Sequence, residues 1–281
     1  MGVKIVVDST ADLLPQVAEQ MTVVPLTIRF DDTEYVQGVD ITNQEFYEKL
    51  VESDVLPTTS QATPFQFEEV FQKAVTGGDE VVCITLSQKL SGTYQSAMVA
   101  AADFSGSVYV VDSESVAIGA GILAEYALRL VGQGMGAKEI YEELLTARKK
   151  VRVLAMLDTL EYLKKGGRIS KTVAFAGELL QLKPVISLDA GEIKMVGKAR
   201  GSKQGNNLLV QEIEKAGGVD FSMPLLLGYT GLSDALLQKY IRDSAALWQG
   251  HAEQLPQTIV GSVVGTHAGP GAVAVAFFSA G

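Results

Sequence analysis

Four short stretches hold the side chains able to do chemistry. In "QKLSGTYQSA" (residues 88–97), Ser91, Gly92 and Thr93 stand directly after the apolar run "VVCITLS", where a buried strand hands over to a helix. "TTSQATPFQFEEVF" carries Thr59 and Ser60 in the approach to a second helix, "KKGGRIS" carries Arg168, and "THAGPG" carries His267. Three chemistries compete for Ser91: covalent catalysis by a serine nucleophile, a phosphate cradle, and a seat for some other anion. Ser91 also reads as the N-cap of its helix, with the N–H groups of Gly92 and Thr93 facing outward at the positive helix end. In the second stretch Thr63, Pro64 and Gln66 already form a capping box with proline at the first helical position, so the Thr59 and Ser60 hydroxyls are not needed as caps. Lys164, Lys165 and one glycine of "KKGGRIS" are explained by a helix C-terminus, which leaves Arg168 unexplained. His267 is placed where strand meets glycine-rich loop, able to titrate or donate near neutral pH, or simply to sit in a turn. His251 reads as solvated at a polar helix end.

Other chemistries lack their residues. The two Asp-Ser pairs, Asp8-Ser9 and Asp112-Ser113, read as helix caps, since neither has the spacing of two ligands on one ion and no His/Cys/Glu cluster completes a metal site. The glycines of "VGQGMGA" follow a helix, not a strand, so a dinucleotide site fails on context, and no P-loop occurs. Cys83 lies inside "VVCITL" and reads as a small buried hydrophobe, consistent with a reducing, cytoplasmic setting. No catalytic residue, metal or cofactor is assigned.

The elements that must position these groups follow from the pattern of apolar residues. "VKIVV", "EVVCITL" and "SVYVV" are short β-branched runs, each ending in a polar cluster and passing into an Ala/Leu-rich helical stretch. Near-continuous apolar strands call for burial on both faces, hence a mostly parallel sheet flanked by helices with ligands gathered at its carboxyl ends. "KEIYEELLTARKKV" places Ile140, Tyr141, Leu144 and Leu145 on one helical face, and the domain boundary is placed after it: an N-terminal α/β domain over 1–151 and a C-terminal α+β domain over 152–281. In the second domain "PVISLDAGEIKMVGKAR" reads as a hairpin, "PLLLGYTGLSDALLQKYIRDSAAL" as strand, loop and helix, and the tail from Leu255 as two strands joined by a bend. With 281 residues, 47% apolar, the core can be large. The net charge of −10, without a Lys/Arg block on a helix face, argues against nucleic acid and means that an anionic ligand needs locally placed cations. No signal peptide or transmembrane segment is expected: only three apolar residues separate Lys4 from Asp8, and glycine and proline interrupt the uncharged tail.

Taken in order, "DSTADLLP", "VVPLTIRF", "LPTTSQATPFQFEEVF", "LSQKLSGTYQSA", "KKGGRIS", "GKARGSK" and "THAGPGAVAVAFF" resemble the DegV family over nearly the whole chain. The resemblance implies a two-domain α/β protein that holds a long-chain fatty acid in a tunnel between its domains. It further implies the fatty-acid-binding subunit of a bacterial fatty acid kinase, without an ATP site of its own. Such a subunit presents the acyl carboxylate to a dihydroxyacetone-kinase-like, ATP-binding partner and holds the acyl phosphate destined for phospholipid synthesis. By the same resemblance Thr59 and Ser91 match the family's carboxylate-binding hydroxyls, with Ser60, Gly92, Thr93 and His267 around the headgroup and Arg168 facing phosphate or partner. Many relatives have Pro after "TSQ" where this chain has Ala62, and other residues after "GPG"; these departures touch the stiffness of the loop and the tunnel wall.

The chemistry is coherent without the family. A fatty acid needs a few converging donors at a mouth and a deep apolar slot behind. Burying roughly 14 methylenes at about 0.8 kcal/mol each contributes on the order of 11 kcal/mol before ordering costs, against about 1 to 3 kcal/mol per headgroup hydrogen bond. The tail supplies affinity and the head orientation. The small residues of "YQSAMVAAADF" and "VAIGAGILAEYA" either leave room for a tail or allow close helix packing. Two other functions use the same residues: a stand-alone fatty acid carrier, and a serine hydrolase or acyltransferase with Ser91 as nucleophile and His267 as base. The second lacks a G-x-S-x-G elbow.

Overall fold

The computed structural model describes residues 2–169, 182–248, 250–251 and 254–281. Ser170, the last residue of "KKGGRIS", lies outside them. Strands β1 (Val3–Asp8), β2 (Thr22–Val24), β6 (Glu80–Thr85) and β7 (Val108–Asp112) form a parallel sheet in the order β2-β1-β6-β7. Strands β1, β6 and β7 are largely buried on both faces, as their uninterrupted apolar runs require, while the edge strand β2 exposes Thr22 and Val23. Ile5, Val7, Val82 and Ile84 face one core, while Val6, Val81 and Cys83 face another under the helices Asn43–Glu52, Pro64–Thr76 and Thr93–Ala101. Cys83 is fully buried, and burial holds its thiol well above the usual range, so it is inert.

A second, mixed sheet is built from β8 (Val151–Met156), β9 (Leu182–Asp189), β10 (Glu192–Arg200), β11 (Leu226–Tyr229), β12 (Gln257–Ile259) and β13 (Val273–Phe278), in the order β10-β9-β8-β13-β11-β12. The expected hairpin is present: β9 and β10 pair antiparallel, and Ala190 (φ 46°) and Gly191 (φ 82°) take the two left-handed positions of a type I′ turn. Between the two sheets lies the helix Ile118–Gly132, apolar nearly all round and buried on both sides. It joins Ile5 and Val7 of the first sheet to Val153, Leu226 and Phe278 of the second in one core.

Three expectations need correction. A third sheet, not foreseen, is formed by β3 (Thr27–Phe30), β4 (Thr33–Val36) and β5 (Thr58–Ser60) in the order β4-β3-β5, so Thr59 and Ser60 are in a strand and not in a free loop. The tail is not two strands around a bend: the helix Ser262–Ala268 lies between β12 and β13 and carries His267 in its last turn. The Asp-Ser pairs are not helix caps. Asp8 instead accepts N–H bonds from Thr10 and Leu86, and Asp112 accepts them from Gln88 and Glu114, clamping the loops at the strands' carboxyl ends. Of the two readings left open for the small residues, Ser96, Ala97 and Ala100 of "YQSAMVAAADF" are buried in helix packing, whereas Val116, Ala117 and Ile118 line the main cavity.

Candidate functional site

The polar clusters converge at one end of a cavity of about 420 Å³ between the parallel sheet and the mixed sheet. Behind the polar end the wall is aliphatic: Ala155, Leu157, Ile186 and Leu188 from the mixed sheet, and Ile118 and Val263 from two helices. Thr10 is the buried polar exception on the first loop, and its hydroxyl is engaged 2.6 Å from Asp8 Oδ1. Strand alternation explains the wall, since Ile186 and Leu188 face the cavity while Val185, the residue before Ile186, packs in the core on the sheet's other face.

At the polar end each predicted residue has a definite place. Thr59, Ser60, Ser91, Gly92, Arg168 and His267 all line the cavity; Thr93 does not. Thr93 is fully buried as the first residue of its helix, with its hydroxyl 3.0 Å from Ser91 Oγ and its N–H donating to that oxygen at 3.3 Å. It therefore holds Ser91 and does not face a ligand. The N-cap position falls on Gly92, one residue later than expected. A Cβ on Gly92 would lie 2.2 Å from Gln61 Oε1, so a larger residue there would displace the Gln61 side chain, whose amide donates to Ser96 Oγ at 3.1 Å and lashes the end of β5 to the helix start. Sequence reading missed Gln61, whose one signal is its place between two polar hydroxyl residues and a capped helix.

His267 reaches across the fold. Its Nε2 is 3.0 Å from Thr59 Oγ1, whereas Nδ1 is buried without a partner and faces Gly166, where a Cβ would lie 2.2 Å away. An orphaned N–H is costlier than an orphaned lone pair, so the bond network assigns the proton to Nε2. Nε2–H then donates to Thr59 and leaves the Thr59 hydroxyl proton to point at an acceptor in the cavity. Burial, and then the Arg168 charge, lower the imidazole from 6.5 to about 4, so it is neutral at physiological pH.

Arg168 is exposed at the mouth. The helix Glu161–Lys165 ends as expected, with Gly167 left-handed at φ 72°, and this turn delivers the guanidinium to Leu90 O (3.3 Å) and Gly166 O (2.6 Å). Among the described residues no carboxylate pairs with it. The mouth thus offers two hydroxyls, a helix start and one cation whose hydrogen bonds go to carbonyls, groups chemically suited to an anion. No group of three or more potential metal ligands occurs among the described residues, and no helix among them is long and apolar enough to cross a membrane.

Fold and site together define a mixed α/β protein with a largely apolar cavity between two sheets whose lining includes Thr59, Ser91, Arg168 and His267. The chain belongs to the DegV family, described as a family of uncharacterised proteins, whose model matches residues 2–280. It is 34% identical to a DegV domain-containing protein of Caldanaerobacter subterraneus over 98% of both chains. Its structure is similar to that of a DegV family protein from Thermus thermophilus described as binding fatty acid, at 32% identity and a TM-score of 0.89, covering 99% of this chain and 100% of that one. A stearic acid-binding protein from Eubacterium ventriosum aligns at 27% identity and a TM-score of 0.84 over 98% and 97% of the two chains.

Proposed function

We propose that the protein binds a long-chain fatty acid, its tail in the aliphatic cavity and its carboxylate between Thr59 and Ser91. The observation that carries this reading is the cavity itself, about 420 Å³, largely aliphatic in lining, with Thr59, Ser91, Arg168 and His267 among its walls. The fatty acids of the Thermus and Eubacterium relatives support it. Ser60 and the Gly92 N–H flank the headgroup, and His267 acts through Thr59.

The bound carboxylate is then presented to a separate ATP-dependent kinase subunit and becomes an acyl phosphate, which Arg168 receives. This part rests on the ordered family motifs and on the unpaired cation at the mouth, where added negative charge would arise. A hydrolase is disfavoured by the geometry, because His267 hydrogen-bonds Thr59 while Ser91 is held by Thr93, and the serine–imidazole pair a nucleophile needs is not made. A stand-alone carrier uses the same groups without a partner.

Native mass spectrometry of the purified protein, followed by lipid extraction, tests the binding. A mass excess equal to one fatty acid is expected. A protein that carries none and takes none up on addition would sink the proposal. Acyl phosphate formation with a dihydroxyacetone-kinase-like partner then separates the kinase subunit from the carrier.

A further inference from the structure

A second cleft, of about 560 Å³, lies behind the acyl cavity, and Val153 and Leu188 line both. Its walls come from the loop after β7, the basic end of the helix Ala137–Ala147, the starts of β8 and β10, and the end of the helix Gly201–Lys215. Charge is concentrated here. Five cations (Arg148, Lys149, Arg152, Lys194 and Lys215) face three acids (Glu114, Asp189 and Glu212), an excess of two positive charges in a chain whose net charge is −10. The acids are taken: Arg148 pairs with Glu114 at 3.2 Å, Lys194 with Asp189, and Lys215 with Glu212. Lys149 and Arg152 are left without a carboxylate, and Arg152 uses only one guanidinium nitrogen, on the carbonyls of Lys149 and Val151 at 2.7 and 3.1 Å. Two buried polar atoms in the same wall, Ser115 Oγ and Arg148 Nε, have no hydrogen-bond partner, and Ser115 is only 2% exposed. Buried donors are rarely left unpaired in a finished structure.

We propose that this cleft binds a phosphomonoester, with Arg152 and Lys149 on the phosphate. The charge decides the class of ligand. A phosphomonoester carries about −1.5 to −2 at neutral pH, which matches the excess, and the planar fork of Arg152 suits its paired oxygens. The site is separate from the mouth that holds the acyl headgroup and does not depend on what fills it.

Titration calorimetry with inorganic phosphate at pH 7.5 tests the site, with phosphatidic acid vesicles as the second arm. Saturable binding of free phosphate is expected, weakened about tenfold or more in the Lys149→Ala, Arg152→Ala double variant, because two charge-assisted contacts are lost. Lys149 is exposed and Arg152 half-buried, so a thermal melt of the double variant checks that it is folded, and Arg152→Lys should recover part of the affinity. Binding to vesicles alone, lost in the same double variant, would keep the site and identify its source as a lipid headgroup. No saturable binding of either probe would overturn the proposal, as would binding that the double variant leaves intact.

Discussion

His267 shows how much a single side chain depends on groups far away in the chain. Gly166 makes the space for its ring, Thr59 takes its one donor, and burial with Arg168 nearby lowers its pKa to about 4. The folded chain therefore keeps a neutral imidazole where the unfolded chain, at 6.5, would take up a proton. The stability linked to this difference is complete above pH 6.5 and is lost as pH falls toward 4. Thermal melts of the lipid-free protein across this range should show a decline that His267→Gln reduces; equal slopes would show that the imidazole is not the titrating group. Arg168 makes the complementary case, a cation whose partners are carbonyls. Arg168→Ala should retain bound lipid but form less acyl phosphate with the partner kinase, and activity equal to wild type would remove it from the mechanism.

Among the elements, the short helix Ser262–Ala268 depends most on its supports. Its N-terminus is held by Asp12, whose Oδ1 accepts the Gly261 N–H at 2.7 Å, and by Gln37, whose Oε1 accepts the Val263 N–H at 3.2 Å. Asp12 is buried and its Oδ2 has no partner. Burial, opposed by the Gly261 bond and assisted by the charge of Asp8, raises its pKa from 3.8 to about 8. The folded state thus favours the protonated acid, and the stability this brings is full below pH 3.8 and lost as pH rises through 8. Asp12→Asn keeps the acceptor and cannot ionise. Its melting temperature should exceed that of wild type by a margin that grows from pH 4 to 8, and a constant margin would show that Asp12 does not titrate in the fold. The β9–β10 hairpin is supported at its tip, where Ser87 donates to Gly191 O at 2.8 Å and a Cβ on Gly191 would lie 2.3 Å from Ser87 Oγ. That seat closes the wall formed by Ile186, Leu188 and Ile193 over the cavity.

For the molecule as a whole, the cavity lies between two sheets that share one core through the helix Ile118–Gly132, so a ligand filling it stabilises both halves together. A ligand present at about 100 times its dissociation constant adds about 2.7 kcal/mol, which for a chain of this size corresponds to a melting shift of roughly 5–10 °C. Delipidation should lower the melting temperature by that amount and re-addition of fatty acid should restore it. A lipid-free protein that melts with the loaded one would show that the cavity does not take the tail.

Much of the architecture is local in origin and was legible along the chain. The uninterrupted β-branched runs require a sheet buried on both faces, the spacing of Thr63, Pro64 and Gln66 caps a helix, and "DAGE" turns a hairpin, because each depends on backbone preferences within a few residues. The ordered motifs likewise named the hydroxyls, the arginine and the histidine that line the mouth. Other features depend on contacts between distant residues, and spacing carries no record of them. Thr59 is in a strand because Ile28 pairs with it, His267 is in a helix whose start is held by Asp12 and Gln37, and Thr93 is turned away from the cavity by one residue of helical phase. A sequence can specify which groups are polar at the end of a strand, but which of them share one cavity is decided by packing across 208 positions between Thr59 and His267.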